Sequence, residues 1–269
     1  AVPLPGGGLV LSLHEITTLR RVELVRRDFV ANISHELRTP LASIKLLAET
    51  LAGGAVDDPG TARDFTHQIE REVDHLAQLV DELLELSMIE SGETKLALEA
   101  VAPAALVADA AERIRPVAEH RDVSVRVGPA DAGQPEVLAL ADPARVGQAL
   151  LNLTHNAVKY SHPGGEVRLG WEPHDRHVRL LVSDDGIGIP AAHQARIFER
   201  FYKVDRSRAR RDSDQAAGTG SAGLGLAIVR HIAQAHGGAV GVSSVEGHGS
   251  TFWIDLPQAS AGQAAAVAE

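Results

Sequence analysis

The first part of the chain carries apolar residues at steps of three or four. From about residue 19, this stripe consists of Val22, Val25, Phe29, Ile33, Leu37, Ile44, Ala48 and Leu51, with one step over Pro40. Residues 52–61 contain Gly, Asp and Pro, which break helices. A second stripe consists of Phe65, Ile69, Val73, Leu76, Val80 and Leu83. Because this spacing is typical of amphipathic helices and Gly92 suits a helix cap, the pattern predicts a hairpin of two long helices over residues 19–92.

A single hairpin of this kind leaves part of its apolar stripe uncovered. A second copy of the chain would cover that part by completing a four-helix bundle, so we predict a homodimer. The alternative is that the stripe packs against the domain that follows.

After residue 92 the periodicity changes, and short strand-like segments are interspersed with helical ones. The strand-like segments are 95–101, 122–127, 137–142, 166–173, 177–185, 239–245 and 250–257, and the helical ones are 103–120, 143–161 and 223–238. Asp142 and Pro143 are typical of a helix start, and a polar, Arg-rich loop runs from about Ile189 to Gly220. The order predicts an α/β sandwich over residues 93–257, with helices on one face of a mixed sheet, and a flexible tail over 258–269.

Composition narrows the class of protein. The formal net charge of -10 argues against binding to nucleic acid, which depends on Lys and Arg. The absence of cysteine excludes disulfides, thiolate zinc sites and cysteine nucleophiles. No apolar run is long enough to cross a bilayer and no signal peptide is apparent, so we expect this part of the protein to lie in the cytoplasm.

His35 lies two residues from Ile33 and two from Leu37, about 200° around the helix from the apolar stripe. We therefore expect its imidazole to face solvent, next to Glu36. Pro40 removes the backbone bond to the carbonyl of Glu36, at a cost of about 3 kcal/mol. An exposed histidine alone is an ordinary surface residue, but a costly proline just beyond the His–Glu pair favours a functional role.

Asn152 and Asn156 are four residues apart and Lys159 lies three further on, so all three share one face of the predicted helix. Amide oxygens and an ammonium group suit Mg²⁺ and phosphate groups. Magnesium needs few protein ligands when a nucleotide supplies the others. A solvated polar helix face is an equally good interpretation of these three residues alone.

Asp184, Gly186 and Gly188 form a D-x-G-x-G pattern directly after an apolar strand. A carboxylate at a strand end can accept a hydrogen bond from the exocyclic amine of adenine, and the glycines allow close backbone approach. Asp-Gly is also ordinary turn chemistry, so the pattern by itself is a weak indication of a nucleotide site.

Gly218, Gly220 and Gly223 match the dinucleotide-binding fingerprint G-x-G-x-x-G, but they follow a polar run rather than a strand, which argues against an oxidoreductase. A P-loop NTPase is excluded because no G-x-x-x-x-G-K-[ST] pattern occurs. The preceding loop carries six basic residues: Arg200, Lys203, Arg206, Arg208, Arg210 and Arg211. It suits either a solvated loop or a lid over an anionic ligand, anchored by Phe198, Phe201 and Tyr202.

Five motifs, in this order, resemble those of bacterial sensor histidine kinases. They are S-H-E-L-R-T-P at 34–40, N-L-T-H-N-A-V-K-Y-S at 152–161, the D-x-G-x-G loop, F-E-R-F-Y-K-V-D at 198–205 and the glycine-rich stretch at 218–229. The resemblance covers about residues 20–257 and is strongest to the phosphate-regulon type of sensor kinase. It implies a dimeric phosphoacceptor hairpin followed by an ATP-binding domain of the histidine kinase and Hsp90-like type.

The resemblance also implies roles for individual residues. His35 would attack the γ-phosphate of ATP, Glu36 would take its proton, and Thr39 would serve in dephosphorylating the partner protein. Asn156 would hold Mg²⁺ and Asp184 would contact adenine. The other nucleotide-binding positions would be Asn152, Lys159, Tyr160, Gly186, Gly188, Lys203, Gly220, Gly223, Leu224 and Gly225. Ser221 and Ala222 depart from the paired glycines and hydroxyl that family members usually carry, so the phosphate contacts of the lid are the least determined.

The function implied by the resemblance is autophosphorylation on His35, transfer to a receiver-domain aspartate of a response regulator, and regulator phosphatase activity. Gly8–Thr17 resembles the last strand of a PAS sensor domain and shows no sheet partner nearby. We therefore interpret residues 1–18 as a sensor remnant with its linker, and expect the full-length protein to be anchored in the inner membrane. One alternative is a superfamily ATPase acting as a conformational clamp, which leaves the motif at 34–40 unexplained. The other is an idle dimeric scaffold, against which the intact residues His35, Glu36, Asn156 and Asp184 argue. Whether transfer runs within one subunit or across the dimer is left open.

Overall fold

The protein forms two compact units, Ala1–Leu76 and Ala77–Glu269, and each is described by itself. The structure, a computed structural model, describes the backbone of residues 2–3, 9–10, 17–90, 96–129, 137–204 and 223–260. Side chains are described within these ranges from residue 30 onward, except at 86 and 88–90.

The chain opens with two short strands, β1 (Val2–Pro3) and β2 (Leu9–Val10), which pair antiparallel with Val2 opposite Val10. The expectation that the opening strand has no sheet partner nearby is therefore wrong. The partner is supplied by the residues just upstream, whose short apolar pair the sequence reasoning did not consider.

Two long helices follow, as the apolar periodicity predicts. Helix α1 spans Thr17–Ala52 with Pro40 inside it, a short 3-10 turn covers Ala55–Asp57, and α2 spans Pro59–Glu90. Pro40 is buried within an uninterrupted helix. The helical assignment of this region is thus confirmed, with the second helix beginning at a proline, which tolerates the first turn.

The predicted apolar stripes are only partly buried within the chain. Ala48, Val73 and Val80 of the stripes are exposed, and their other described members are partly buried. The buried apolar side chains, Leu47 and Leu79, lie one residue before Ala48 and Val80 and belong to neither predicted stripe. The exposed large apolar side chains of the two helices are Val30, Leu41, Leu46, Val73, Val80 and Leu84. The predicted stripes are therefore displaced by one residue from the side chains that the chain itself buries, and their own members are partly buried or exposed.

The second unit contains the predicted α/β sandwich. Its elements, in chain order, are β3 (Glu99–Val101), α3 (Pro103–His120), β4 (Ser124–Val127), β5 (Ala139–Ala141), α4 (Pro143–Tyr160), β6 (Glu166–His174), β7 (His177–Asp184), α5 (Ala191–Gln194), α6 (Gly225–Ala235), β8 (Ala239–Val245) and β9 (Gly249–Pro257). The large sheet has the order β4-β6-β7-β9-β8, with β4 parallel to β6 and all other neighbours antiparallel. Helices α3, α4 and α6 pack on this sheet, so the mixed sheet with helices is confirmed.

Two details of this unit differ from the sequence interpretation. Strands β3 and β5, both predicted as strands of the sandwich sheet, pair with each other in a separate two-stranded sheet. Helix α5 lies in the stretch predicted as a loop, because a four-residue helix is too short to show an apolar period.

Period-two alternation determines which side chains of the central strands are buried. The buried apolar residues are Val178, Leu180 and Val182 on β7 and Phe252, Ile254 and Leu256 on β9. Asp184 continues the first series by two residues, and Ser250 precedes the second by two. The two polar residues are register partners, so the alternation places both on the face that otherwise forms the core.

Asp142 fixes the beginning of α4. Its carboxylate accepts from the backbone N–H of Arg145 at 3.2 Å and from that of Ala97 at 3.0 Å. Its own N–H donates to Nε2 of the buried His236 at 3.0 Å, whose Nδ1 lies 2.7 Å from the carbonyl oxygen of Ile232. The predicted cap therefore also ties α4 to the end of α6.

We expect Asp142→Ala to lower the free energy of unfolding by about 1–3 kcal/mol, because it removes the cap and the acceptor of the Ala97 amide. Urea unfolding followed by circular dichroism measures the change. The matched control is Asp109→Ala: this exposed carboxylate on α3 pairs with Arg113 and should contribute less than about 0.5 kcal/mol. Equal losses for the two variants would show that the cap does not stabilise α4.

Glu85, near the end of α2, is buried against the first turns of α4. Its carboxylate accepts a hydrogen bond from the side-chain amide of Gln148 and lies 3.4 Å from the guanidinium of Arg145. Burial raises the pKa of Glu85, and the charge of Arg145 opposes that rise. Two polar partners thus stabilise a carboxylate that burial alone would favour in its protonated form.

Candidate active site

The first candidate group lies on α1. His35 is exposed, as predicted, Glu36 is partly buried, and Thr39 is exposed one turn further on. The hydroxyl of Thr39 donates to the backbone carbonyl of His35 at 3.3 Å. The imidazole and the threonine hydroxyl are therefore neighbours on a helix surface that a protein partner can reach.

The second candidate group centres on Asp184, at the end of β7. Its carboxylate accepts hydrogen bonds from the backbone amides of Gly186, at 3.0 Å, and of Ser250. Burial raises the pKa of Asp184, the two amides oppose the rise, and neighbouring Asp185 adds to it. The result is a half-buried acceptor held in one orientation, which suits recognition of an amine.

Gly186 and Gly188 allow the loop after Asp184 to lie against neighbouring backbone. A side chain at Gly186 would collide with the carbonyl of Tyr160, and one at Gly188 with that of Val245. Gly188 also has a φ of 64°, which favours glycine. The backbone N–H of Ile187 donates to the carbonyl of Tyr160 at 3.2 Å, so the loop adjoins the end of α4.

The predicted polar face of α4 borders the start of α6. The side-chain amide of Asn152 donates to the carbonyl of Gly225 at 3.4 Å, and the Nζ of Lys159 lies 5.4 Å from the ring centroid of Tyr160. Asn152, Asn156 and Lys159 are all partly buried. The structure thus brings the asparagine face together with Gly225 and, through Tyr160, with the Asp184 loop.

The aromatic residues at 198–202 connect this region to the sheet. Phe198 is buried and meets Phe252 edge to face, with ring centroids 6.4 Å apart. The backbone N–H of Phe201 donates to the carbonyl of Gly223 at 2.9 Å. This hydrogen bond joins the described residues just before position 205 to those just after position 222.

Of the remaining positions predicted for the nucleotide site, some are described by the structure and others are not. Leu224 is buried and precedes α6, and Lys203 is partly buried just before the interval. Gly220, Ser221 and Ala222 lie outside the described residues.

The described residues include Asn156, the residue that the family resemblance assigns to Mg²⁺. Among them, no group of three or more His, Asp or Glu is placed to hold a metal. Asn156 offers one amide oxygen on the α4 face, which matches the few protein ligands that Mg²⁺ takes when phosphates supply the rest.

The sequence interpretation did not include Ser250, Ser244 or Gln194, which adjoin the Asp184 loop. Ser250 follows the glycines of G-H-G-S at 247–250 and occupies an inward position of an apolar strand. A polar residue at such a position is a signal that could have identified it. Ser244 and Gln194 show no comparable signal, since they reach the loop only through tertiary contacts.

Two family models match the chain and divide it between the two candidate groups. Residues 25–92 match the His Kinase A (phospho-acceptor) domain, which contains His35. Residues 141–260 match the histidine kinase-, DNA gyrase B- and HSP90-like ATPase family, which contains Asp184. The chain belongs to the sensor histidine kinases. The match that begins at 141 contains α4 and the large sheet apart from β4.

Curated relatives of this histidine kinase chain are named as sensor kinases. Sensor-like histidine kinase SenX3 of Mycolicibacterium smegmatis is 39% identical over 238 residues, which cover 88% of this chain and 59% of SenX3. Phosphate regulon sensor protein PhoR of Pseudomonas aeruginosa is 35% identical over 256 residues, which cover 95% of this chain and 55% of PhoR. The chain therefore spans less than two thirds of the length of these relatives.

Solved structures show the same fold. Full-length ShkA in complex with AMPPNP is 32% identical, with a TM-score of 0.62 over 87% of this chain and 46% of ShkA. The histidine kinase AdeS of Acinetobacter baumannii is 23% identical, with a TM-score of 0.63 over 84% of this chain and 98% of AdeS. In the part of the histidine kinase chain that the structure describes, no helix is long and apolar enough to cross a membrane.

Proposed function

We propose that this chain is the catalytic core of a two-component sensor kinase, which transfers the γ-phosphoryl group of ATP to His35 and then to an aspartate of a response regulator. The observation that carries the proposal is the exposed imidazole of His35 beside Glu36, in a chain that also has the family's ATP-binding fold. An exposed histidine on the solvent side of a helix can be reached both by a nucleotide and by a second protein.

The first step uses His35 as nucleophile. Glu36 accepts the proton of one ring nitrogen while the other nitrogen attacks the γ-phosphorus. The new bond joins nitrogen to phosphorus, the bond from that phosphorus to its bridging oxygen breaks, and ADP leaves. The catalytic contribution of the protein is positioning and charge neutralisation.

The nucleotide site supplies that positioning. Asp184 accepts a hydrogen bond from the adenine amine, while Lys159 and Lys203 supply positive charge for the phosphates. Helix α6 begins at Gly225 beside Asn152, where free amides and the helix dipole favour an anion. Asn156 would hold Mg²⁺, which neutralises phosphate charge when bound.

Two protein partners belong to the proposal. The regulator would approach the α1 surface that carries His35 and Thr39. Its aspartate would attack the phosphorus, the phosphorus–nitrogen bond would break, and the ring nitrogen would regain a proton from solvent, which leaves a neutral imidazole. A second copy of the chain would cover the exposed apolar residues of the helices, among them Val73, Val80 and Leu84 on one stripe of α2. The division at residue 92, a PAS-like sensor upstream and inner-membrane anchoring of the longer protein stay predictions from the family resemblance.

Incubation with Mg²⁺ and ATP labelled in the γ-phosphate tests the proposal. We expect label on the protein that acid removes and base does not, as a phosphorus–nitrogen bond requires. ATP hydrolysis without protein label would favour the alternative, a clamp ATPase without phosphotransfer. Absence of nucleotide binding would leave only a scaffold.

We expect Thr39→Ala to retain autophosphorylation within about twofold while dephosphorylation of the phosphorylated regulator slows about 10-fold or more, an effect typical of losing one catalytic hydrogen-bonding group. The physical reason is that the Thr39 hydroxyl lies one turn from His35 and donates to the backbone carbonyl of His35 rather than to its ring, so nucleophile and base stay intact. Release of phosphate from the labelled regulator measures the second activity. Thr39→Ser, which keeps the hydroxyl, is the matched control; loss of autophosphorylation in the alanine variant would contradict separate roles for Thr39 and Glu36.

A further inference from the structure

Gln194, at the end of α5, joins the loop that follows Asp184 to strand β8. Its side-chain Nε2 donates to the carbonyl of Ile189 at 2.9 Å and to that of Ser244 at 2.8 Å. A primary amide has two protons, so this group uses both of them on backbone carbonyls. Gln194 therefore connects the end of the Asp-Gly-Ile-Gly loop to the end of β8.

The hydroxyl of Ser244 holds the same loop residue from the other side. It accepts from the backbone N–H of Ile189 at 2.7 Å and donates to the carbonyl of Gly249 at 2.8 Å. Since a hydroxyl has a single proton, its 3.0 Å contact with the Ser250 hydroxyl has Ser250 as donor. The N–H of Ile189 is thus bonded directly to β8, and its carbonyl is linked to β8 through the side chain of Gln194.

The opposite end of the loop is held as well. The carbonyl of Ile187 accepts from the backbone N–H of Gly247 at 2.8 Å, and the N–H of Ile187 donates to Tyr160. Asp184 is oriented by the amides of Gly186, from the loop, and Ser250, from β9. Gln194 and Ser244 consequently bind together the two segments whose amides orient the carboxylate.

We propose that Gln194 and Ser244 are positioning residues that give the nucleotide site its preference for adenine. The inference rests on the proposed function, in which Asp184 accepts from the adenine amine. A held carboxylate rejects guanine, which presents a carbonyl oxygen at that position, because two acceptors then face each other without a proton between them. A loosened loop can turn an amide of its backbone toward that oxygen, and the discrimination between the two bases falls.

The test compares binding of non-hydrolysable ATP and GTP analogues by calorimetry in the whole chain. Gln194→Met keeps the length and flexibility of the side chain and removes both donors. We expect the ATP analogue to bind about 10-fold more weakly while GTP-analogue binding is unchanged or tighter, so that the ratio of the two affinities falls by at least that factor. An unchanged ratio overturns the assignment of Gln194.

Gln258→Met is the matched control. The side-chain amide of Gln258 also spans two carbonyls, those of Asp175 at 3.5 Å and His177 at 3.1 Å, at the other end of β7 from Asp184. We expect this variant to lower the melting temperature without changing the ratio. If it changes the ratio as much as Gln194→Met does, the effect is one of general stability and the proposal fails.

A second pair of variants keeps the test informative if Gln194→Met does not fold. Ser244→Ala removes the hydroxyl but leaves the carbonyl that Gln194 contacts, and Ser244→Thr restores a hydroxyl in a strand that accepts β-branched residues. The ratio should fall in Ser244→Ala and recover in Ser244→Thr; equal ratios in both overturn the role of the hydroxyl. A wild-type chain that binds neither analogue overturns the proposed function itself, whereas one that binds both equally overturns only the adenine preference.

Discussion

We expect replacement of His35 by glutamine to abolish labelling of the protein by γ-labelled ATP, while the affinity of the variant for the ATP analogue stays within about twofold of wild type. Glutamine keeps polarity at an exposed position of α1 but has no nitrogen lone pair that can attack phosphorus. The label is measured after acid and base treatment, and nucleotide affinity by calorimetry on the same preparation. Because the nucleotide residues lie in the second unit, binding and labelling should separate completely in this variant.

His67→Gln is the control for this experiment. His67 is an exposed histidine on α2, and its Nδ1 lies 3.1 Å from the carboxylate of Glu70. Its replacement tests whether a second exposed histidine beside a carboxylate takes up label, and we expect the His67→Gln protein to be labelled as fully as wild type. Label that persists in His35→Gln and disappears in His67→Gln would move the phosphoacceptor to α2.

We expect replacement of Asp184 by asparagine to weaken binding of ADP by about 10- to 100-fold, which corresponds to the loss of one hydrogen bond between a charged acceptor and its donor. Asparagine has the shape of aspartate but carries an NH₂ group in place of one carboxylate oxygen. This NH₂ group faces either the adenine amine or the backbone amide of Gly186, and in both arrangements two hydrogen-bond donors face each other. Autophosphorylation at low ATP concentration should fall by the same factor. Calorimetry with ADP, which cannot transfer a phosphoryl group to His35, measures binding alone.

The pH dependence provides a second readout of the same residue. Burial raises the pKa of Asp184, so its accepting, ionised form is lost as the pH falls through a value above the ordinary 3.8 of an aspartate. Wild-type affinity for ADP should therefore fall with acidification at a higher pH than an ordinary aspartate would show, and Asp184→Asn should lack this component. Asp185→Asn is the matched control, because the Asp185 carboxylate accepts from the backbone N–H of Glu166 instead. Equal losses of affinity in the two variants would refute the assignment of Asp184.

Helix α2 shows what the periodicity of apolar residues does not determine. The steps of three and four predict both helices, yet the stripe drawn through Val73, Leu76 and Val80 combines exposed and partly buried residues, and Leu79 is the side chain that is buried. A helix with neighbours on two sides has an apolar surface wider than one seam. The spacing shows that such a surface exists, whereas the packing determines which part of it this chain covers itself.

Local patterns in the sequence determined the α/β unit to a large extent. The Asp142–Pro143 pair predicted where α4 begins, and the alternation of β7 leads directly to an inward Asp184, because side-chain direction in a strand follows from position along the chain. The glycines of the loop were likewise predictable from the need for close backbone approach.

Only the tertiary structure decided what surrounds that carboxylate. Ser250 faces Asp184 through the register of β7 and β9, and Gln194 meets Ser244 across 50 residues of sequence. Similarly, the carboxylate of Glu85 meets Arg145 across 60 residues. The spacing of apolar residues follows from the repeat of the helix or strand and from which of its faces meets solvent, so it can be recognised in the sequence directly. Contacts between distant segments depend on strand register and on the packing of side chains in three dimensions, which no spacing along the chain records.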